Sequence, residues 1–311
     1  MKPTVRIGTR GSQLALYQAE LVKVLLEREF RMVTVEVIKI KTSGDMIRRG
    51  GTSPLETKRI YTREIEDALL KDEVDIAVHS AKDMAAVLPE GLKIGAVLER
   101  EDSRDCLVSR DHKKLVELGI GARIGTSSLR RRQQLLRLHS ELIVEEVHGN
   151  VDTRVRKIDE GDYDAMVLAH AGIIRLGLGH LVAEIFAEER FYPAPGQGII
   201  ALQARLHDPD LDEMLVPLNH KHSAQRLDCE RAFLRRLEGG CQLPCGIRTS
   251  IEDHKIRAAG ALFAIEGHEM AEASHTGDAS AAAQTGTELA EKILDAGGAK
   301  ILKSIRKGNR T

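Results

Sequence analysis

Two stretches of the chain repeat one order of elements, and that repetition limits the fold more than any other feature. Arg6-Ile7-Gly8-Thr9 opens the first stretch and Arg123-Ile124-Gly125-Thr126 opens the second. In the first, Val5 to Gly8 reads as a short strand, and Leu14, Leu21, Val22, Leu25 and Leu26 form a helical stripe. Val33 to Ile40 is a β-branched run, Ile65, Ala68 and Leu69 mark a second helix, and Val74 to His79 reads as a strand. The second stretch follows suit: a helix through Leu135 and Leu138, a strand from Leu142 to Val147, a helix from Val155 to Glu160, and the strand-like Asp164 to Leu168. Two β-α-β-α-β units imply two similar doubly wound α/β domains. Ligands bind such sheets beyond the carboxyl ends of the strands. Those ends are Thr9 to Ser12, Ser80 to Asp83, Thr126 to Ser128 and His148 to Arg154.

The copies differ in a polar insertion, about Thr42 to Thr62, rich in glycine and basic residues. A loop of that length is expected to be a mobile flap over a cleft between the two domains. Pro193-Ala194-Pro195-Gly196-Gln197-Gly198 ends the second unit, and the strand-like Ile199 to Gln203 is placed to return to the first sheet. Beyond it, a helix from Ala224 to Leu237 stops at Glu238-Gly239-Gly240. Strands at Ile247–Ile251, Ile256–Phe263 and His268–Ala273, then a helix at Ala281–Ala296, describe a smaller α+β C-terminal domain. The expected boundaries are 1–98 with 199–217 for domain 1, 99–198 for domain 2 and 218–311 for domain 3.

Composition removes several function classes. The 311 residues carry a net charge of −1, have 3% aromatics and contain no Trp. Base-stacking platforms and a global basic field for nucleic acid are thereby disfavoured. No apolar run approaches the roughly 20 residues of a membrane span. The first residues lack the apolar core of a signal peptide, so a cytoplasmic protein is expected. Four cysteines in such a length are no disulfide framework.

The strand ends hold the chemistry. Arg130-Arg131-Arg132 follows Thr126-Ser127-Ser128 at a helix start, where Ser and Thr are natural caps. Cations are unfavourable beside the positive end of a helix dipole unless an anion binds there. A solvated basic face is the plain alternative. Arg10 with Ser12, Lys82, Arg154 and Arg175 also follow strands, and together they describe a site for a substrate with several carboxylates. Asp83 stands among these cations either as an ion-pair partner or as an acceptor for cationic or N–H-bearing intermediates. No phosphate loop or dinucleotide fingerprint is present. Leu237 to Cys245 is a loop with two thiols, and Gly239-Gly240 leave room for a bulky group beside Cys241. His220, His222, Cys229, Cys241 and Cys245 are a conceivable ligand set, but their spacing is not that of a zinc module, and no metal is expected.

These segments resemble the porphobilinogen deaminase (hydroxymethylbilane synthase) family, in the right order and over nearly the whole chain. The best of them are Thr9 to Ser12, Val78-His79-Ser80-Ala81-Lys82-Asp83, Gly125 to Arg131, Gly149-Asn150-Val151-Asp152-Thr153-Arg154, Pro195 to Gly198 and Leu237 to Pro244. The resemblance implies two periplasmic-binding-protein-like domains plus a smaller α+β one. It implies a monomeric transferase that joins four porphobilinogen molecules head to tail, releasing ammonia, to give hydroxymethylbilane for haem, chlorophyll or corrinoid synthesis. It further implies a dipyrromethane cofactor in thioether linkage to Cys241, with Asp83 as the catalytic aspartate. Lys58, Ser80, Lys82, Thr126, Ser128, Arg130, Arg131, Asn150 and Arg154 match cofactor-binding positions. Arg10, Ser12, His148, Arg154, Arg175 and Gln197 match substrate-binding positions.

Three places depart from the family pattern. Glu56-Thr57-Lys58-Arg59-Ile60-Tyr61 stands where a glycine-rich flap stretch is usual, Ala85 replaces a common proline, and His148 replaces an arginine. The flap departure is the one support for a rival reading, a non-catalytic polycarboxylate-binding protein on the same fold. The presence of Asp83 and Cys241 argues for the enzyme.

Overall fold

The computed structural model describes residues 2–43, 61–237 and 243–308. They fall into two compact units, Met1–Glu101 with Gly198–Ala224, and Asp102–Gln197 with Gln225–Thr311.

The first unit is a five-stranded sheet in the order β2-β1-β3-β10-β4. Its strands are β1 (Thr4–Thr9), β2 (Thr34–Lys39), β3 (Ile76–Ser80), β4 (Leu92–Val97) and β10 (Ile200–Arg205). β1 runs parallel to β2 and β3, while β10 runs antiparallel between β3 and β4. The return of Ile199–Gln203 to the first sheet is therefore observed. Helix α1 (Gln13–Glu29) buries Ala19, Val22 and Leu26 against Val5, Ile7 and Val78. Helix α2 (Arg63–Leu70) covers the other face through Ile65, Ala68 and Leu69, packed on Val74 and Ala77. Alternation along β3 thus sends Val78 to one helix layer and Ala77 to the other.

The second unit repeats this plan. Its sheet, in the order β7-β6-β8-β5-β9, comprises β5 (Asp105–Ser109), β6 (Arg123–Gly125), β7 (Ile143–Glu145), β8 (Ala165–Ala169) and β9 (Val182–Ile185). Gly8 and Gly125 hold equivalent places, each opposite one neighbour on either side, and a Cβ on either would press side chains at 3.1 Å. Helices α3 (Leu129–Leu138), α4 (Val151–Asp159) and α5 (His170–Arg175) follow β6, β7 and β8. In the first sheet's own span, α6 (Pro209–Leu215) adds Leu211, Met214 and Leu215 to the core.

The small antiparallel sheet lies in the second unit: β11 (Cys245–Glu252), β12 (Lys255–Phe263) and β13 (Met270–Asp278). Helix α7 (Lys221–Arg236) precedes it, and α8 (Ala282–Ile293) follows. Gly246 on β11 is a necessity of packing, because a Cβ there would lie 2.5 Å from Tyr192 Cβ and 2.8 Å from its carbonyl. The expected last helix ends at Ile293. After Gly297 turns the chain at φ 106, a further helix, α9 (Ala299–Gly308), packs Ile301, Leu302 and Ile305 inward. Among the described residues, no helix is long and apolar enough to cross a membrane.

Candidate functional site

In the first unit, the ends of the adjacent parallel strands β1 and β3 carry the candidates. Ser12 caps α1, accepting from the Ala15 amide at 3.3 Å. The Arg10 guanidinium lies 4.2 Å from the centre of the Tyr61 ring, a cation–π contact. Past β3 the chain makes a single 3-10 turn, Ala81–Asp83, which presents Lys82 and Asp83 half-buried. The turn is tied to the neighbouring strand by Ala81 N–H donating to the Ile199 carbonyl at 2.9 Å.

Neutral side chains brace this turn from both faces of the sheet. Gln18, buried on α1, donates to the Ser80 hydroxyl at 2.9 Å. On the α2 face, the His79 Nε2 meets Gln203 Oε1 at 3.1 Å, and Gln203 Nε2 donates to Glu66 Oε1 at 3.2 Å. The amide therefore turns its acceptor to His79, which must carry its proton on Nε2. Burial pushes the His79 imidazole down to about 4, so it stays neutral.

In the second unit, Ser128 caps α3 through the Arg131 amide at 3.4 Å, and its own N–H donates to the Thr126 hydroxyl at 3.2 Å. The expected anion at this helix start is in part supplied by the protein itself. Arg130 and Arg131 are buried and converge on Asp105, which has no exposed surface. Arg130 Nη1 donates to Asp105 Oδ2 at 2.6 Å; Arg131 Nε and Nη2 donate to Oδ1 at 3.0 and 2.7 Å. Burial alone would raise the Asp105 carboxyl. The two guanidinium charges and the Gln197 amide outweigh it and hold the group well below the usual carboxylate range.

Gln197, expected at the substrate, is fully buried beside this pair. Its amide donates to the Ser103 carbonyl at 2.7 Å and to Asp105 Oδ1 at 3.0 Å, so it braces the carboxylate. Arg132, one step along the helix, is exposed and donates to the Val144 carbonyl at 2.8 Å. Arg154 lies against the same strand ends, with Nε donating to the Gly149 carbonyl at 2.9 Å and Nη2 to Ser127 Oγ at 3.5 Å. Asn150 stands exposed at the start of α4, and Arg175 ends α5, half-buried. His148 faces solvent, 58% exposed, with Nε2 3.5 Å from Glu146 Oε1.

Lys58, Cys241 and most of the expected flap lie outside the described residues. The described thiols, Cys106, Cys229 and Cys245, are buried. Burial, with Glu230 and Asp228 nearby, pushes the Cys229 thiol up to about 12, which makes it inert as a nucleophile. His220 takes the Ser223 hydroxyl at 2.8 Å, and no group of three or more His, Cys, Asp or Glu among the described residues is placed to hold a metal.

The sequence reading missed Asp105, Gln18, Glu66 and Gln203. Asp105 carried one usable signal: it opens the run Cys106-Leu107-Val108, so strand geometry places it at a buried sheet edge.

Residues 5–213 match the family model described as porphobilinogen deaminase, dipyromethane cofactor binding domain, and residues 224–295 match its C-terminal domain. The porphobilinogen deaminase of Syntrophobacter fumaroxidans is 41% identical over 301 residues, 97% of each chain. That of Pelobacter propionicus is 42% identical over 301 residues, again 97% of each. That of Desulforamulus reducens is 39% identical over 308 residues, 99% of this chain and 100% of the relative. Among solved structures, the methionine binding protein MetQ gives a TM-score of 0.46 at 14% identity, covering 72% of this chain and 90% of that one.

Proposed function

This chain belongs to the porphobilinogen deaminase family, and we propose that it performs the full reaction as a transferase: four porphobilinogen molecules joined head to tail into hydroxymethylbilane, with one ammonia released per unit. The observation that carries this reading is the span of the match. Both family domains are present, and the motif residues of the first occupy the carboxyl ends of paired strands in two matching sheets. We place the protein in the cytoplasm as a monomer, divided into three domains at 98/99, 198/199 and 217/218.

A dipyrromethane, bound as a thioether to Cys241, supplies the pyrrole from which the chain is extended. The described residues fit such a polycarboxylate. The α3 start offers capped amides and two guanidiniums, with Asp105 as the carboxylate paired to them among the described residues. Ser80, Lys82, Thr126, Ser128, Arg130, Arg131, Asn150 and Arg154, with Lys58, hold cofactor carboxylates in this reading. Arg10, Ser12, His148, Arg154 and Arg175 hold those of the incoming substrate and growing chain. Asp83 is the catalytic residue. Loss of ammonia leaves a cation delocalised onto the substrate's pyrrole nitrogen. A fixed carboxylate stabilises that charge, accepts pyrrole N–H groups and moves protons. His79 stays neutral and the Gln18–Ser80 pair carries no charge, so neither offsets the charge of Asp83.

The intact mass of the denatured protein tests the reading. A covalent excess of two pyrrole units is expected, mapped to the peptide containing Cys241 and not to Cys245. A protein that binds porphobilinogen, shows no adduct and releases no ammonia would be a binding protein instead.

A further inference from the structure

We propose that Asp105 is a positioning residue that fixes the Arg130–Arg131 pair and sets its charge so that it takes one carboxylate. This rests on the reading of those arginines as carboxylate-binding groups.

Three observations carry it. First, Asp105 is saturated. Its Oδ1 accepts from Arg131 Nε, Arg131 Nη2 and Gln197 Nε2, and its Oδ2 from Arg130 Nη1, all within 3.0 Å. Second, neither guanidinium is free to swing. Arg130 Nη1 also donates to the Tyr192 carbonyl at 2.6 Å, and Arg131 Nη1 to the Val167 carbonyl at 3.0 Å. The Tyr192 peptide is itself pinned by Gln134, which accepts its N–H at 2.6 Å and donates to its carbonyl at 3.1 Å. Third, the charges do not cancel. Asp105 contributes −1 and each arginine +1, a sum of +1 among side chains that are 7% exposed or less.

A buried unbalanced cation is costly, and a ligand carboxylate removes the imbalance. Without Asp105 the pair would hold two positive charges that repel. With Arg130 removed the remainder would be neutral and indifferent to anions. Asp105 touches the ligand only through the arginines. Its place follows from topology: β5 runs antiparallel to β8, so Asp105 at its amino end sits opposite Ala169 at the carboxyl end of β8.

The test uses cofactor-free protein from cells unable to make porphobilinogen, incubated with porphobilinogen and followed by intact mass, with melting recorded before and after. Wild-type protein gains two pyrrole units. Asp105→Asn is expected to melt lower without cofactor and to load at least tenfold more slowly, even at temperatures where circular dichroism shows it folded. Asp105→Glu, which keeps the charge, recovers loading in part. Should Asp105→Asn fail to fold, Arg130→Met answers: it melts lower, because Asp105 Oδ2 and the Tyr192 carbonyl lose a donor, yet at temperatures where circular dichroism shows it folded its charge-balanced Asp105–Arg131 pair loads tenfold or more slowly. Wild-type loading rate and KM in folded Asp105→Asn, or wild-type loading in Arg130→Met, overturns the proposal. Failure of the wild type to gain mass overturns the functional reading instead.

Discussion

The two sheets share a plan, yet they brace their strand ends by opposite means. At the end of β3, the turn bearing Asp83 is held by neutral groups: Gln18 on Ser80, and Gln203 on a His79 kept uncharged by burial. At the end of β8 and the start of α3, the brace is ionic, a buried carboxylate under two arginines. The neutral brace adds no charge beside Asp83, whereas the ionic brace holds two guanidiniums on one buried carboxylate. The difference teaches that one scaffold, duplicated, serves either sign of charge by changing what lies behind the strand ends.

The largest effect should come from the charge that the neutral brace presents. Asp83→Asn keeps shape and hydrogen bonding, so melting should change little. Turnover should fall by about a hundredfold or more, the range for positioned electrostatic or acid–base groups. Steady-state ammonia release measures it, and near-normal turnover would reduce Asp83 to an ion-pair partner. Next, Arg131→Leu breaks the ionic brace. Loss of one partner of a buried pair costs about 3–5 kcal/mol, read by urea denaturation. Arg132→Leu, one helical step away and exposed, should cost less than about 1 kcal/mol. Equal damage from the two would mean a diffuse basic field and no defined brace.

Acid separates the braces more gently. Below pH 6.5 an unfolded histidine takes up a proton that folded His79, near 4, refuses. The stability from His79 is therefore complete above about 6.5 and falls toward pH 4, by roughly 3 kcal/mol in all. The Asp105 contribution is lost in the same direction but at lower pH: its depressed carboxyl holds until the pH drops below about 4. Hydrogen exchange at pH 7 and 5 should show the first unit loosening before the second, and His79→Gln should abolish that order. Smallest of all, Gln18→Leu should cost about 1 kcal/mol for the lost hydrogen bond to Ser80; a rise in KM with unchanged melting would show the bond serves the ligand more than the fold.

Much of this was legible in the sequence because the repeated elements are written in local patterns. The strand at Arg123-Ile124-Gly125 and the return of Ile199–Gln203 needed only alternation and a precedent within the chain. Asp105 was hidden because ligand sites in such sheets are expected at the carboxyl ends of strands, and an antiparallel strand brings its amino end to the same edge. It also follows Glu101, Asp102 and Arg104, a charged run that reads as solvated loop. The helix after Gly297 was lost because Gly297-Gly298 signals a stop, yet a single positive φ redirects the chain and Ile301, Leu302 and Ile305 resume the apolar stripe. The relay through Glu66, Gln203 and His79 joins residues far apart in the chain, where no spacing rule operates.

The antiparallel return of β10 also bears on how the chain is born. The first sheet cannot close until Ile200–Arg205 has been synthesised, because that strand sits between β3 and β4. From Val97 the ribosome must add about a hundred residues before the gap can be filled, roughly 5–20 s at usual elongation rates. The second sheet needs nothing beyond Ile185, so it is complete first. During that interval β3 and β4 lack a shared neighbour, and their open edges are the part of the nascent protein most in need of a chaperone.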